Sequence, residues 1–374
     1  MVEAGIYPTL RLAVQDRAII DPGSITIMSK LRWAVIGTGT IAATFAEDIA
    51  RTKNATLVAI FSRKGETGAV FARRFGPLAV FTDLDALAAA PDVDAVYIAS
   101  PNSAHFEQAK RLIAAGKPVL VEKPLTTKAA EAEVLARLAK DSGVLTMEGL
   151  WTLYLPALER LRHLLAKQAI GRIRAVRGHL GFAKPFDPQS RFFSPELGGG
   201  ALLDLGVYPL AVTLNLFGPP KSVSGNWRVA PTGVDLAATM RLGYDGFTAD
   251  LGCSFLANGK NRYVIEGETG ALVLDAPFLK ASRLFVVRNK TLLPLIAPKA
   301  ESRFSRSLAK IARRVPLPGV EVFDGSFPGG GLQFEIEAAS AAILNGARQE
   351  PRAPLSASLQ ALKIIEDIRA QPAF

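Results

Sequence analysis

Cysteine is all but missing from this chain. Cys253 is the only one in 374 residues, so no internal disulfide can form. The fold must stand on its buried core, and the expected compartment is the reducing cytoplasm. Histidine is scarce as well, with three residues and no clustered ligand spacing, so no metal site is expected. No apolar run is expected to reach the length of a membrane span. Residues 1–28 lack both a basic leading stretch and a continuous apolar centre, so they do not read as a secretory signal. They are expected to be a disordered extension, with the domain pattern starting after Met28-Ser29-Lys30.

Acidic residues are outnumbered, 34 against 44 basic ones, for a net charge of +10. Such a balance can attract nucleic acid or an anionic surface. Here the basic residues are spread along the chain and no nucleic-acid motif appears, so neither partner is expected. One local excess, Arg303, Arg306, Lys310, Arg313 and Arg314, reads as the solvated face of a helix, with a phosphate-attracting patch as the alternative. Hydrophobic residues at 49% and charged residues at 21% suit two globular domains at this length.

What is present begins at Leu31. The run Leu31-Arg32-Trp33-Ala34-Val35-Ile36 reads as a strand, and Gly37-Thr38-Gly39-Thr40-Ile41-Ala42 follows at once, opening a helix. This is the G-x-G-x-x-A arrangement in its required strand–turn–helix context. Gly37 permits the turn, Gly39 leaves room for a pyrophosphate, and Ala42 lets the helix pack closely. The helix N-terminus turns free N–H groups toward the phosphates. Further apolar strands are expected at Thr56–Phe61, Ala79–Phe81, Ala95–Ala99, Val119–Val121 and Val144–Met147, with helices between them. Six alternating strands imply a parallel, doubly wound sheet over residues 29–148.

The second strand ends in Ser62-Arg63-Lys64, where an NAD site usually places an acid. A 2′-phosphate suits these residues, so the expected cofactor is NADP(H) in preference to NAD(H). Later strand ends face the same crevice. They carry Ser100-Pro101-Asn102, with His105 just inside the next helix, and Glu122-Lys123-Pro124.

With these pieces in place, the sequence resembles the glucose–fructose oxidoreductase, inositol dehydrogenase and rhizopine-catabolism (Gfo/Idh/MocA) family. The matching motifs are the glycine turn, Pro101-Asn102 with His105, Glu122-Lys123-Pro124, and the run from Gly198 to Tyr208. The stretch Glu148 to Pro156 and the tyrosine ending the Asp204 motif resemble the branch of dimeric dihydrodiol dehydrogenase and NADP-dependent D-xylose dehydrogenases. The resemblance implies that Lys123 lies near the nicotinamide and the substrate hydroxyl, with a peptide bond to Pro124 that is often cis. It implies a substrate-side acid at Asp204, and a tyrosine, Tyr208, where many members have a catalytic histidine. Leu153 departs from the pattern, because similar proteins often carry arginine there.

Residues 149–374 are expected to form an α+β domain with a large, mainly antiparallel open sheet for substrate binding. Strands are read at Ile173–Phe182, Ser222–Val229, Leu236–Gly243, Phe247–Ser254, Arg262–Glu266 and Ala271–Leu274. In the resembling family the open sheet often forms a dimer interface, so a homodimer or higher homo-oligomer is expected. Residues 283–320 look like an insertion. Asp204 and Tyr208 stand four apart on one helix and project from one face. With Lys123 they form the expected catalytic group, and Trp151 and Tyr154 add substrate contacts. A cationic Lys123 near Tyr208 is expected to lower the tyrosine's pKa. Either residue can then exchange the proton while the other orients a sugar, polyol or dihydrodiol. The competing reading is a non-catalytic sensor or regulator of the same family.

Overall fold

The computed structural model describes residues 30–298 and 311–373. The expected N-terminal extension lies outside them, as do Arg303, Arg306 and Lys310. The first half alternates as expected: β1 (Leu31–Ile36), α1 (Thr40–Ile49), β2 (Ala55–Phe61), α2 (Gly65–Phe75), β3 (Ala79–Phe81), α3 (Leu84–Ala89), β4 (Ala95–Ile98), α4 (His105–Ala114), β5 (Val119–Glu122), α5 (Ala129–Ser142) and β6 (Thr146–Gly149). The strands form a parallel sheet in the order β3-β2-β1-β4-β5-β6. Its central strands are nearly continuous runs of buried apolar residues because helices cover both faces. The order reverses between β1 and β4, which are paired through Ile36 and Ile98. Ligands bind at such a switch point, beyond the carboxyl ends of the strands.

The second half adds α6 (Pro156–Ala166), β7 (Ile173–Gly181), α7 (Val207–Phe217), β8 (Ser222–Val229), β9 (Asp235–Tyr244), β10 (Phe247–Ser254), β11 (Tyr263–Gly267), β12 (Ala271–Leu274), β13 (Arg283–Val287), β14 (Val320–Asp324), α8 (Gln333–Leu344) and α9 (Leu355–Arg369). Eight strands form one sheet in the order β14-β13-β12-β11-β7-β10-β9-β8. It is mainly antiparallel, but β7 and β10 run parallel, because β7 enters the middle of the sheet well before its neighbours in sequence. The segment from 283 on, expected as an irregular insertion, opens with β13, which continues the sheet. Leu293, Ile296, Ala297 and Ala312 then pack on that end of the sheet as a second small core. Arg313, expected on a solvated helix face, is instead largely buried and ion-paired with Asp275 at 3.1 Å.

The stretch Pro195–Phe217 is long and apolar enough to cross a membrane by length and composition, which the sequence reading did not anticipate. However, 83% of its most apolar window is buried inside the protein. Its last half is α7, which packs against β7, β10 and α9. Before α7 the helix opens with a wide π-type turn over Leu202–Gly206. Such turns are uncommon and often mark functional sites.

Candidate active site

The glycine turn separates two needs. Gly37 has φ +103°, and a Cβ there would stand 2.6 Å from the Ala99 carbonyl oxygen, so the protein itself requires glycine. A Cβ on Gly39 would meet nothing within 4 Å. Open space at that point is what a close-approaching phosphate needs. No side chain caps the start of α1, which leaves its first-turn N–H groups to a ligand. Thr38 and Ile41 are half-buried, Thr40 is exposed, and Ala42 is buried against the sheet. At the end of β2 the Ser62 side chain is buried, while Arg63 and Lys64 are exposed and form no ion pair with the described residues. These residues fit a phosphorylated dinucleotide.

The carboxyl ends of β4 and β5 are tied together around Lys123. His105 is wholly buried, and its ring nitrogens face Pro124 O at 2.8 Å and Ser100 O at 3.0 Å. It clamps the two loops and does not present its ring to the cleft. The Ser100 hydroxyl donates to Gln108 Oε1. Pro101 is exposed beside the half-buried Asn102. Asn102 Nδ2 donates to Gly198 O at 3.0 Å, which joins the two halves of the chain. Glu122 Oε2 accepts the Lys123 N–H at 3.1 Å, and the Tyr97 hydroxyl donates to Glu122 Oε1. Glu148 Oε1 accepts the Leu125 N–H at 2.8 Å. The Lys123–Pro124 peptide is cis, as the resemblance implies.

Lys123 Nζ donates to Asp204 O at 2.8 Å and to Asp204 Oδ1 at 3.0 Å, and it sits 5.1 Å from the centre of the Tyr208 ring. Trp151 Nε1 donates to the Tyr208 hydroxyl at 3.2 Å. The expected group of Lys123, Asp204, Tyr208 and Trp151 therefore converges in one place. Burial disfavours the Lys123 charge, but Asp204, Tyr208 and Glu122 outweigh it and hold the lysine above its usual pKa. Burial also works against the Asp204 charge, and Lys123 and Arg191 overcome it to keep the carboxyl below its usual range. Tyr208 departs from expectation. Lys123 does pull its pKa down, but burial, helped by Glu122 and Asp204, pushes it up to about 12. Lys123 is the strongest lowering influence, but it does not outweigh burial of the hydroxyl.

Tyr154 does not join this group. Its hydroxyl lies 3.5 Å from Met147 Sδ, and Arg352 stacks on its ring at 4.4 Å. Leu153 is buried too, and its carbonyl accepts from Arg162. Sequence reasoning missed Lys184 and Arg191, whose charges act on Asp204. The signal was present in basic residues set among Phe182, Phe186, Phe192 and Phe193 just before the glycine run.

Comparison with known proteins covers both halves of the chain. The signature described as an oxidoreductase family with an NAD-binding Rossmann fold, GFO/IDH/MocA, matches residues 31–150, and the C-terminal domain of the same family matches 158–273. The chain is 38% identical over 251 residues to scyllo-inositol 2-dehydrogenase (NADP(+)) of Bacillus subtilis, covering 66% of this chain and 76% of that one. It is 29% identical over 345 residues to trans-1,2-dihydrobenzene-1,2-diol dehydrogenase of Bos taurus, covering 91% and 96%. A 3-ketoreductase from Actinomadura kijaniata, solved with NADP and TDP-benzene, superposes with a TM-score of 0.73 at 26% identity over 91% of this chain and 97% of that one. An aldose-aldose oxidoreductase from Caulobacter crescentus shares the fold, with a TM-score of 0.75 at 24% identity over 91% and 96%. With both halves matched in order, this chain belongs to the Gfo/Idh/MocA oxidoreductase family.

Proposed function

We propose that this protein is an NADP(H)-dependent dehydrogenase or reductase acting on a CH–OH or C=O carbon of a sugar, polyol or dihydrodiol. The carrying observation is the meeting of Lys123, Asp204 and Tyr208 beside the strand ends where a nicotinamide would lie. Bound NADP(H) supplies or accepts the hydride. Lys123 holds the substrate oxygen with the one N–H that Asp204 leaves over. Tyr208 accepts its hydrogen bond from Trp151, which leaves its own O–H to exchange a proton with that oxygen. Asp204 fixes the lysine and accepts from a neighbouring substrate hydroxyl. Trp151 closes one wall. The inositol and dihydrodiol activities of the relatives support this substrate range, and the NADP of the 3-ketoreductase complex supports the cofactor.

Titration of the protein into NADPH, followed by fluorescence, tests the cofactor, and a panel of aldoses, inositols and dihydrodiols with NADP+ tests the reaction. A non-catalytic sensor would bind NADPH and turn over nothing. Arg63→Asp is expected to weaken NADPH about tenfold or more and to leave NADH nearly as before, because only NADPH carries the 2′-phosphate. Equal loss for both cofactors would remove the assignment.

The reading extends to a cytoplasmic homodimer. One face of the eight-stranded sheet carries an open trough of about 1060 Å³, lined by Arg177, His179, Met240, Arg241, Asp250 and Leu251 among others. Its exposed side chains, among them Thr239, Arg241 and Asp250, are polar, and a second copy presenting the same face would meet them with like groups about a two-fold axis. Sedimentation equilibrium is expected to give twice the chain mass, and Thr239→Arg, at an exposed position of the trough, to return it to one; a monomer throughout would overturn this.

A further inference from the structure

Two cations at the rim have no part in the chemistry just described. After β7, residues 182–200 fold back over the mouth of the site. The loop is fixed, with Ala183 N donating to Asn258 Oδ1 at 3.0 Å, Lys184 N to Phe255 O at 2.9 Å, and Gly200 N to Phe192 O at 2.9 Å. The rings of Phe192 and Phe193 dock edge-on against Phe255. On this frame Lys184 Nζ lies 3.5 Å from the centre of the Phe192 ring, and the Arg191 guanidinium lies 4.1 Å from it. Two like charges share one aromatic ring.

Arg191 also reaches inward. Its Nη1 stands 3.8 Å from Asp204 Oδ1, the same oxygen that Lys123 holds at 3.0 Å. Lys184 acts on the same carboxylate as well, more weakly than Arg191. Even with Glu122 ionised, three cations face two acids here, and Glu122 is engaged by Tyr97 and the Lys123 backbone. Gathering like charges in a partly enclosed site is costly unless something neutralises them. A neutral polyol offers nothing that needs the extra pair. The turn at Gly37 and Gly39 and the first turn of α1 already provide for the cofactor's phosphates, and Asp204 lies on the substrate side.

We infer that the substrate carries an anionic group, a carboxylate or a phosphate one or two carbons from the reacting carbon, and that Arg191 and Lys184 bind it. Arg191 is the principal contact because its planar fork matches either anion. The inference rests on the oxidoreductase reading and narrows its substrate class to sugar acids or sugar phosphates.

The test compares hexuronates, aldonates and hexose phosphates with their neutral parent sugars, each with NADP+ or NADPH as its oxidation state requires. Wild-type kcat/KM is expected to be about tenfold to a hundredfold higher for an anionic sugar than for its parent, with KM for the anion rising with salt. In Arg191→Ala that preference should shrink about tenfold or more, and Arg191→Lys should restore part of it. NADPH affinity, measured by fluorescence, checks folding and should stay within about twofold. Carboxylate and phosphate arms tell the two anions apart. A preference for neutral sugars, no turnover of any anionic sugar, or an equal loss on both classes in Arg191→Ala overturns the inference. A failure of NADPH to bind at all is a different result, and it strikes the oxidoreductase reading itself.

Discussion

Lys123→Met is expected to cut turnover about a thousandfold while NADPH still binds. Methionine keeps much of the unbranched stem and removes the ammonium. Two of its three N–H groups are committed to Asp204 O and Oδ1. The third is left for the substrate oxygen, so the loss falls on the reacting centre. Tyr208→Phe is expected to cost about a hundredfold, because it removes the exchangeable proton and leaves the Trp151 N–H without its partner. Near-normal turnover in Tyr208→Phe would move the proton exchange to Lys123, and near-normal turnover in both variants would end the account. The same variants read out in pH. Burial drives the Tyr208 pKa up to about 12, and Asp204 holds Lys123 in its ammonium form against burial. A group whose pKa is raised stays protonated until the pH passes the raised value. Near neutrality the two residues set to exchange the proton, Lys123 and Tyr208, are therefore both loaded acids, and neither is a base. Reduction of a carbonyl should run at a nearly constant kcat from about pH 6 to 9, and oxidation of the alcohol should climb steadily through the same range. An oxidation rate that levels off near neutral pH would show a base already formed and contradict the assignment.

The parts of the fold that depend on local pattern were legible. The apolar runs of β1, β4 and β5 and the turn at Gly37 and Gly39 carry their own periodicity, so a parallel, doubly wound sheet followed from the alternation of strands and helices. Lys123, Asp204 and Tyr208 stood out one at a time by motif. Their meeting is a contact across 81 residues, and no local pattern encodes it. The parallel pairing of β7 with β10 was hidden for the same reason, since sequence neighbours suggest hairpins. Burial was the second blind spot. It reversed the net shift expected for Tyr208, turned His105 from a cleft residue into a clamp, and carried Tyr154 away to Met147 and Arg352. Arg191 and Lys184 were missed because loop charges usually mean solvent, and only the folded loop sets them against Asp204.

The other large effect is expected at a distance from the chemistry. Asp235, at the start of β9, is fully buried. Its Oδ2 accepts the Leu202 N–H at 2.5 Å, and its Oδ1 accepts from Arg369 Nε at 2.8 Å and Nη2 at 2.5 Å. One carboxylate thus pins the π-type turn that carries Asp204 two residues later, and it ties α9 to the same point. Removing one member of a buried ion pair costs about 3–5 kcal/mol, because the other charge is stranded. Arg369 keeps 29% of its side-chain surface, so water recovers part of that and about 2–4 kcal/mol is expected for Asp235→Asn. Asparagine preserves the shape and one acceptor, so the fold should survive and the loss should appear as a lower urea midpoint. The turn should loosen as well, shifting Asp204 and with it Lys123, and kcat should fall about tenfold or more with NADPH affinity little changed. Pairing the change with Arg369→Met separates the two effects. The double variant should regain part of the stability, since no charge is then stranded, but none of the turnover, since the Leu202 N–H still lacks its carboxylate. If stability and turnover returned together, or if Asp235→Asn cost less than about 1 kcal/mol, the carboxylate would not be what holds the catalytic turn in place.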